Sequence, residues 1–209
     1  MNKNKVYEIY EKIWAWYDEN RAKHLMEREY LDNITHHIPQ NGKILDLGCG
    51  TGEPIAQFFI DRGYSITGID ASQKMIDLCL KRFPQSTFLL ADMRNLKLNE
   101  KFDAIIAWDS FFHLPPEDQR SMFPVFARHL NPNGILVFTS GPQASEVWSD
   151  NNGEQLYHAS LSIEEYNILL ESQGFNVIKN KIEDPACGNH TVWEAIYSLS
   201  DNVFGMQQC

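Results

Sequence analysis

A glycine-rich turn near residue 50 limits the fold of this chain more than any other stretch. Residues 44–54 read ILDLGCGTGEP, in which an apolar run and an aspartate precede three glycines in five positions. Because glycine has no side chain, a ligand can touch main-chain N–H groups at the positive end of the helix that follows. A turn of this kind, between a first strand and a helix, is where α/β proteins bring backbone close to a ligand.

Strand-like and helix-like runs alternate from residue 43 to residue 140. The strand-like runs read KILDL, YSITGID, STFLLAD, FDAIIAWD and GILVFTS. This alternation predicts an α/β fold with a parallel sheet and right-handed crossovers. Upstream, residues 6–38 are predicted to form one or two helices. Pro124 is expected to kink or split the helix that contains it.

The rhythm changes after Ser140. Residues 141–160 are predicted to form a long irregular segment, and SIEEYNILLESQGF is predicted to form a helix with Ser162 and Glu165 spaced as a capping box. FNVIKNKIED and TVWEAIYSL read as two strands joined by PACGNH. That connection is too short for a crossover, so the pair should be antiparallel. Residues from about 200 are predicted to be a loose tail.

Length and charge narrow the classes of function. The 209 residues suit one domain with a sizeable core, and the formal net charge is −10. Nucleic-acid binders usually present a basic face, so we expect no nucleic-acid partner. No apolar run is long enough to span a membrane, and the first twenty residues lack the apolar core of a signal peptide. The four cysteines form no CxxC pair, which favours a cytoplasmic protein with reduced thiols.

The spacing of the glycines in the turn and the acidic residues around it indicate which kind of ligand the turn binds. The sixth position counted from Gly48 is Glu53, where the dinucleotide fingerprint needs glycine. Asp46 precedes the turn, and Asp70 and Asp92 end the second and third strands. All three should therefore meet at the carboxyl edge of the sheet. Carboxylates there suit a ribose diol, an exocyclic amine and a cationic centre, which points to a cationic adenosine compound without phosphates.

These motifs resemble those of the class I S-adenosylmethionine-dependent methyltransferases. ILDLGCGTG matches the glycine motif, GIDAS the ribose-binding acid, ADM the adenine-binding acid and NPNGILVFTS the fifth-strand motif. The resemblance runs from about residue 42 to residue 199 and is nearest to bacterial small-molecule enzymes. It implies a Rossmann-like, seven-stranded, mostly parallel sheet with helices on both faces, an antiparallel last strand and an N-terminal helical cap. The expected division is a cap over residues 1–40, a methyltransferase domain over 41–199 and a tail over 200–209.

The same resemblance implies S-adenosyl-L-methionine as cofactor and assigns residues to it. Asp46 would organise the amino group of its methionine part, Asp70 would bind the ribose, and Asp92 would accept from the adenine amine. The other implied cofactor contacts are Gly48, Gly50, Ala71, Met75, Met93 and Trp108.

The acceptor is expected to enter over the fourth strand, where AWDSFFHLPP carries two titratable groups. His113 is the candidate base and Asp109 its neighbour, since a base is needed where the nucleophile carries a proton. Both residues could instead serve as caps or packing groups of the helix that follows.

Further residues are expected to line the acceptor pocket, and no metal site is predicted. The first helix commonly closes over the cofactor in this fold, and its Trp16, Tyr17 and Arg21 are the candidate lid groups. The long segment and the last hairpin should converge on the same edge. They contribute the candidates Tyr157, His158, Asp184, Cys187 and His190.

The leading interpretation is methyl transfer to a small molecule. The sequence leaves open a methyltransferase acting on protein or RNA, and a protein that binds S-adenosylmethionine or S-adenosylhomocysteine without turnover. The acceptor atom and the oligomeric state are not predicted.

Overall fold

The computed structural model describes residues 2–198, in which a seven-stranded sheet is covered by helices. The sheet has the order β3-β2-β1-β4-β5-β9-β8, and a separate hairpin pairs β6 with β7. The strands are β1 Lys43–Leu47, β2 Ser65–Asp70, β3 Thr87–Leu90, β4 Phe102–Ala107, β5 Leu130–Ser140, β6 Ser145–Asn151, β7 Glu154–Ser160, β8 Phe175–Asp184 and β9 His190–Tyr197.

Strand directions agree with the predicted fold. Neighbours among β1 to β5 pair in parallel. Only β9 runs against the rest, because it pairs antiparallel with both β5 and β8. The predicted seven-stranded, mostly parallel sheet with an antiparallel last strand is therefore confirmed.

The helices also follow the sequence signals closely. Residues 6–38 hold two helices, and Ser72 caps α4 by accepting from the Met75 N–H at 3.4 Å. Pro124 lies inside α5, which continues as one helix, so the predicted split does not occur. The helices are α1 Tyr7–Asn20, α2 Arg28–His37, α3 Ile55–Ile60, α4 Gln73–Arg82, α5 Pro116–His129 and α6 Ile163–Ser172.

Apolar cores lie on both faces of the sheet. Adjacent residues of β1 point to opposite sides: Ile44 packs with α2 to α4, and Leu45 packs with α5 and α6. Because both faces are buried, the central strands read as continuous apolar runs instead of alternating ones. The burial anchors the carboxyl ends of β1, β2 and β4 side by side, which fixes where a ligand can bind.

Residues 141–160 are not the irregular segment that the sequence predicted. They contain the β6–β7 hairpin, in which Asn151 pairs with Glu154 across a two-residue turn. Asn152 and Gly153 both have positive φ, 55° and 80°. An Asn-Gly pair in this conformation is the strongest short-range hairpin signal, and it is present in the sequence.

Some sequence predictions have no structural counterpart. The predicted tail over 200–209 lies outside the described residues, and the division into a cap over 1–40 and a domain over 41–199 stays a prediction. Within residues 2–198 no helix combines the length and apolarity that crossing a bilayer requires.

Candidate active site

A cleft of about 750 Å³, partly open to solvent, lies at the carboxyl edge of the sheet. Its floor is the glycine turn and the ends of β2, β3 and β4, and its roof is the N-terminal segment with α1. Among the residues predicted as site residues, those that line it are Tyr17, Gly48, Gly50, Asp70, Ala71, Met75, Asp92, Met93, Asp109 and His113.

The glycine turn is shaped by its neighbours as well as by the open cleft. Gly48 has φ 75°, and a Cβ built on it would lie 2.2 Å from the Ser110 Cβ. Ser110 in turn donates to the Leu47 carbonyl at 2.6 Å. At Gly50, with φ 52°, the nearest atoms to such a Cβ belong to Tyr17 at 3.7 Å. Gly48 is therefore needed for packing, and Gly50 leaves room under the roof.

Asp70 ties the turn to the end of β2. Its Oδ2 accepts from the Gly50 N–H at 2.9 Å and its Oδ1 accepts from the Ser72 N–H at 2.8 Å. Burial raises its pKa to about 6. Each oxygen keeps a lone pair, so the carboxylate can still accept from a diol in the cleft.

Asp92 has a partner that the sequence analysis missed. The Arg94 Nε donates to both Asp92 oxygens at 2.9 Å, its Nη2 donates to Asp92 Oδ2 as well, and its Nη1 reaches Asp118 at 2.9 Å. Burial alone would raise the Asp92 pKa, but these bonds to Arg94 outweigh it and hold the pKa below its usual range. Asp92 is therefore a fixed anion at the cleft wall.

Two predicted cofactor residues do not line the cleft. Asp46 is buried beneath the turn, and burial raises its pKa to about 7. Trp108 is buried in the core on the α2–α4 side, and its Nε1 has no hydrogen-bond partner among the described residues. Any contact of either with a ligand has to come through the backbone or after a rearrangement.

His113 is held as a neutral imidazole by its two partners. Its Nδ1 lies 2.8 Å from the Tyr157 carbonyl oxygen, which can only accept, so Nδ1 carries the proton. Its Nε2 lies 2.9 Å from the Tyr10 hydroxyl, which donates to it. Burial lowers the His113 pKa to about 4, in agreement with a neutral ring.

His190 stands on the other side of Asp109 and faces its carboxylate. Its Nδ1 lies 2.7 Å from the Cys187 carbonyl oxygen and its Nε2 lies 2.8 Å from Asp109 Oδ1. Both partners are oxygen acceptors, which favours a proton on each ring nitrogen. The contact with Asp109 raises the His190 pKa, although burial opposes it. Arg21 approaches the other Asp109 oxygen at 3.6 Å.

The roof is fastened to the sheet by polar contacts. Glu11 binds the Ser72 hydroxyl at 2.5 Å and the Lys74 N–H at 3.0 Å. Asp18 forms a two-bond pair with Arg82 at 2.7 and 2.6 Å. Of the predicted lid residues, Tyr17 lines the cleft, whereas Trp16 and Arg21 do not.

Tyr10 also lines the cleft, and the sequence analysis missed it. It lies seven residues before Tyr17, hence on the same face of α1, and the two rings meet edge to face at 5.3 Å. That spacing was the available signal.

Four residues that were predicted to line the methyl-acceptor pocket lie outside the cleft. Tyr157 reaches His113 through its carbonyl, while its hydroxyl donates to Glu146. His158 packs on Phe112 at 5.2 Å. Asp184 is buried, accepts from the Tyr30 hydroxyl at 2.7 Å and caps the short turn after β8. Cys187 is buried in the core. None of the four lines the cleft, and no group of metal-ligating side chains occurs in the described part of the chain.

Comparisons with known proteins agree with this geometry. Residues 44–134 match the family model described as "Methyltransferase domain". YqeM of Bacillus subtilis (strain 168), which its name describes as a methyltransferase, is 34% identical over 151 residues, covering 68% of this chain and 60% of YqeM. Trans-aconitate 2-methyltransferase of Escherichia coli (strain 55989 / EAEC) is 35% identical over 168 residues, covering 75% of this chain and 62% of the enzyme. The chain thus spans less than two thirds of either relative.

A solved structure shares the fold over nearly its whole length. S-adenosylmethionine-bound CalS10, an amino pentose methyltransferase from Micromonospora echinaspora, superposes with a TM-score of 0.70 at 18% identity, covering 93% of this chain and 97% of CalS10. Residues 44–134 therefore match the methyltransferase domain family, and the chain has the fold of the class I S-adenosylmethionine-dependent methyltransferases.

Proposed function

We propose that the cleft binds S-adenosyl-L-methionine and that the chain transfers its methyl group to a small molecule. The observation that supports this most is the meeting of three cofactor motifs in one roofed cleft. The glycine turn, the end of β2 with Asp70 and the end of β3 with Asp92 and Met93 all line it.

The cofactor contacts follow from the lining residues. Asp70 would accept from the ribose hydroxyls, and Ala71, Asp92 and Met93 would surround the adenine. The methionine part would lie against Gly48 and Gly50, within the field of the buried Asp46 and of Arg21, whose Nε contacts the Glu53 carbonyl oxygen at 3.3 Å. The cofactor supplies a methyl group on a positively charged sulfur, which is already a good leaving group.

The protein's part in the reaction is alignment, exclusion of water and proton handling. α1 roofs the cleft, and Asp109 and His113 line it beyond the turn. The neutral His113 presents Nε2 to Tyr10, so a proton leaving the acceptor has a hydrogen-bonded route away from it.

A small acceptor fits the roof and the charge better than a polymer. The first helix covers the cleft, and the net charge of −10 disfavours nucleic acid. The E. coli relative and CalS10 are named for small-molecule substrates, an organic acid and an amino pentose.

The test is calorimetric titration with S-adenosylhomocysteine and with NAD. We expect binding of the first and none of the second, and the reverse result would contradict the proposal. Asp70→Ala removes two charge-assisted hydrogen bonds to the ribose and should weaken S-adenosylhomocysteine binding by about 2–3 kcal/mol. Asp61→Ala, at an exposed position after α3, is the matched control and should bind normally.

A further inference from the structure

We infer that the methyl acceptor is an amine and that Asp109 is the residue that selects it. The inference rests on the proposed function and adds the chemical class of the acceptor. It comes from the charges that face the cleft beyond the glycine turn.

Asp109 is held at the cleft wall by an unusual backbone. Its φ is 49°, in the left-handed region that non-glycine residues rarely adopt, and its N–H donates to the Thr139 hydroxyl at 2.9 Å. Such conformations persist where the surroundings enforce them, often at functional sites. Here the result is an aspartate that lines the cleft directly after β4, with its Oδ1 buried against His190.

The neighbouring cations keep Asp109 ionised without facing the cleft. His190 contacts its Oδ1 at 2.8 Å and Arg21 its Oδ2 at 3.6 Å. Neither cation lines the cleft, and Arg21 also approaches Glu27 at 3.4 Å. Arg21 and His190 are thus paired with the acids Glu27 and Asp109. Of these four groups, Asp109 lines the cleft.

The cations that do line the cleft are already engaged. Among residues 2–198 these are Arg94 and Lys3. Arg94 binds Asp92, Asp118 and the Asn4 carbonyl. Lys3 lies 3.3 Å from Glu146 and 3.6 Å from Glu117. A carboxylate acceptor, such as the one that names the E. coli relative, would therefore meet Asp109 without a free cation to bind it.

Tyr10 adds a second hydrogen-bond acceptor to the same wall. Its hydroxyl proton is committed to His113 Nε2 at 2.9 Å, so it offers only lone pairs to a ligand. Asp109 and Tyr10 together call for a ligand that donates hydrogen bonds, and an N–H group does so.

The transfer step also favours an amine. An amine that arrives as an ammonium ion first gives up one proton, for which Tyr10 and His113 Nε2 offer a hydrogen-bonded route. The nitrogen lone pair then forms the N–C bond while the C–S bond breaks and its electrons pass to sulfur. The positive charge moves from sulfur to nitrogen, and the methylammonium product leaves with it. A carboxylate beside the acceptor nitrogen stabilises charge that develops there in the transition state. With an ionised oxygen acceptor the charge disappears, and Asp109 would oppose binding.

The experiment uses the full chain, trideuteromethyl S-adenosylmethionine and a small-molecule extract of a bacterial culture. The extract is divided by ion exchange at pH 7 into cationic, neutral and anionic fractions, and mass spectrometry follows the label. We expect labelled product in the cationic fraction. Fragmentation of the labelled product locates the methyl group, and label on oxygen, sulfur or carbon alone would overturn the inference while leaving the proposed function intact. Lack of S-adenosylhomocysteine binding, or binding without label in any fraction, would instead contradict the proposed function.

Variants then test the role of Asp109 on the labelled amine. Asn tolerates positive φ, so Asp109→Asn removes the charge with little backbone cost. We expect KM for the amine to rise at least tenfold, with S-adenosylhomocysteine affinity within threefold. Asp109→Asn combined with His190→Gln removes the charge without leaving an unpaired cation, and should show the same rise if the single variant folds poorly. Asp150→Asn, on the exposed hairpin, is the matched control. An unchanged KM in a folded Asp109 variant would overturn the inference.

Discussion

Two histidines lie near Asp109, and their surroundings shift their pKa values in opposite directions. His113 faces one acceptor and one donor, Tyr157 O and Tyr10 Oη, and is neutral. His190 faces two acceptors, Cys187 O and Asp109 Oδ1, and its pKa is raised, which favours the imidazolium. Both rings are partly buried, so burial alone does not decide their charge. Burial lowers the pKa of both rings, and at His190 the contact with the Asp109 carboxylate outweighs it, so the partner of the ring decides the direction of the shift.

The largest expected effect concerns His113 in acid. Its pKa is about 4 in the folded chain and about 6.5 when unfolded, so between these pH values the unfolded state binds more protons. The free energy of unfolding should therefore fall by about 3 kcal/mol through this group as the pH drops from 6.5 to 4. Urea denaturation across this range should show a shallower decline in His113→Gln.

His36→Gln changes an exposed histidine and serves as the control for that series. It should keep the slope of the parent chain. A slope in His113→Gln equal to that of the control would mean that His113 is not the buried neutral ring described here.

A smaller effect of opposite sign is expected from His190. Its folded pKa lies above that of the unfolded chain, so its stabilising contribution is full below about pH 6.5 and is lost as the pH rises through the folded pKa. His190→Gln should cost about 1–2 kcal/mol at pH 6 and less at pH 9. Nitrogen-15 spectra of the parent at pH 6 should show both His190 nitrogens protonated. A neutral His190 there would remove the contrast between the two rings.

The smallest effect should come from Tyr10→Phe, which should shift the pKa of His113 upward, in the direction of the shift at His190. The loss of the hydroxyl removes the donor that stabilises neutral His113, so the pKa of His113 should rise while stability falls by about 1 kcal/mol. Nitrogen-15 titration of His113 measures the first quantity. Tyr7→Phe, another tyrosine of α1 that lines the cleft, is the control and should leave the titration unchanged. A titration of His113 that Tyr10→Phe does not alter would contradict the assigned hydrogen bond.

The sheet was predictable because its signals are local. The apolar runs, the glycine turn and the Ser72 cap each lie within a few residues of the structure that they specify. The β6–β7 hairpin was missed, although Asn152 and Gly153 form a typical hairpin turn. The reason is that β6 is polar and largely exposed, so its sequence shows little apolar alternation.

The site was predictable only in part, since its chemistry depends on pairs distant in sequence. Tyr10 and His113 are 103 residues apart. Arg94 forms hydrogen bonds to the Asp92 carboxylate, although Arg94 is not part of any of the cofactor motifs. From the sequence, Asp184 was predicted to line the acceptor pocket. In the structure its carboxylate accepts from the Tyr30 hydroxyl, a residue 154 positions away that the sequence does not link to it. Sequence patterns place residues at an edge of the sheet, but the partner across the fold decides what each residue can do.

The fastening of α1 has a kinetic consequence. Glu11 and Asp18 hold this helix across the cleft through Ser72, Lys74 and Arg82. Because α1 covers the cleft, we expect the nucleoside to enter first and leave last, with departure limited by release of these contacts. Steady-state turnover would then follow an ordered sequence. Weakening the Asp18–Arg82 pair would raise the turnover rate by speeding product release, while the rate of methyl transfer itself would stay the same.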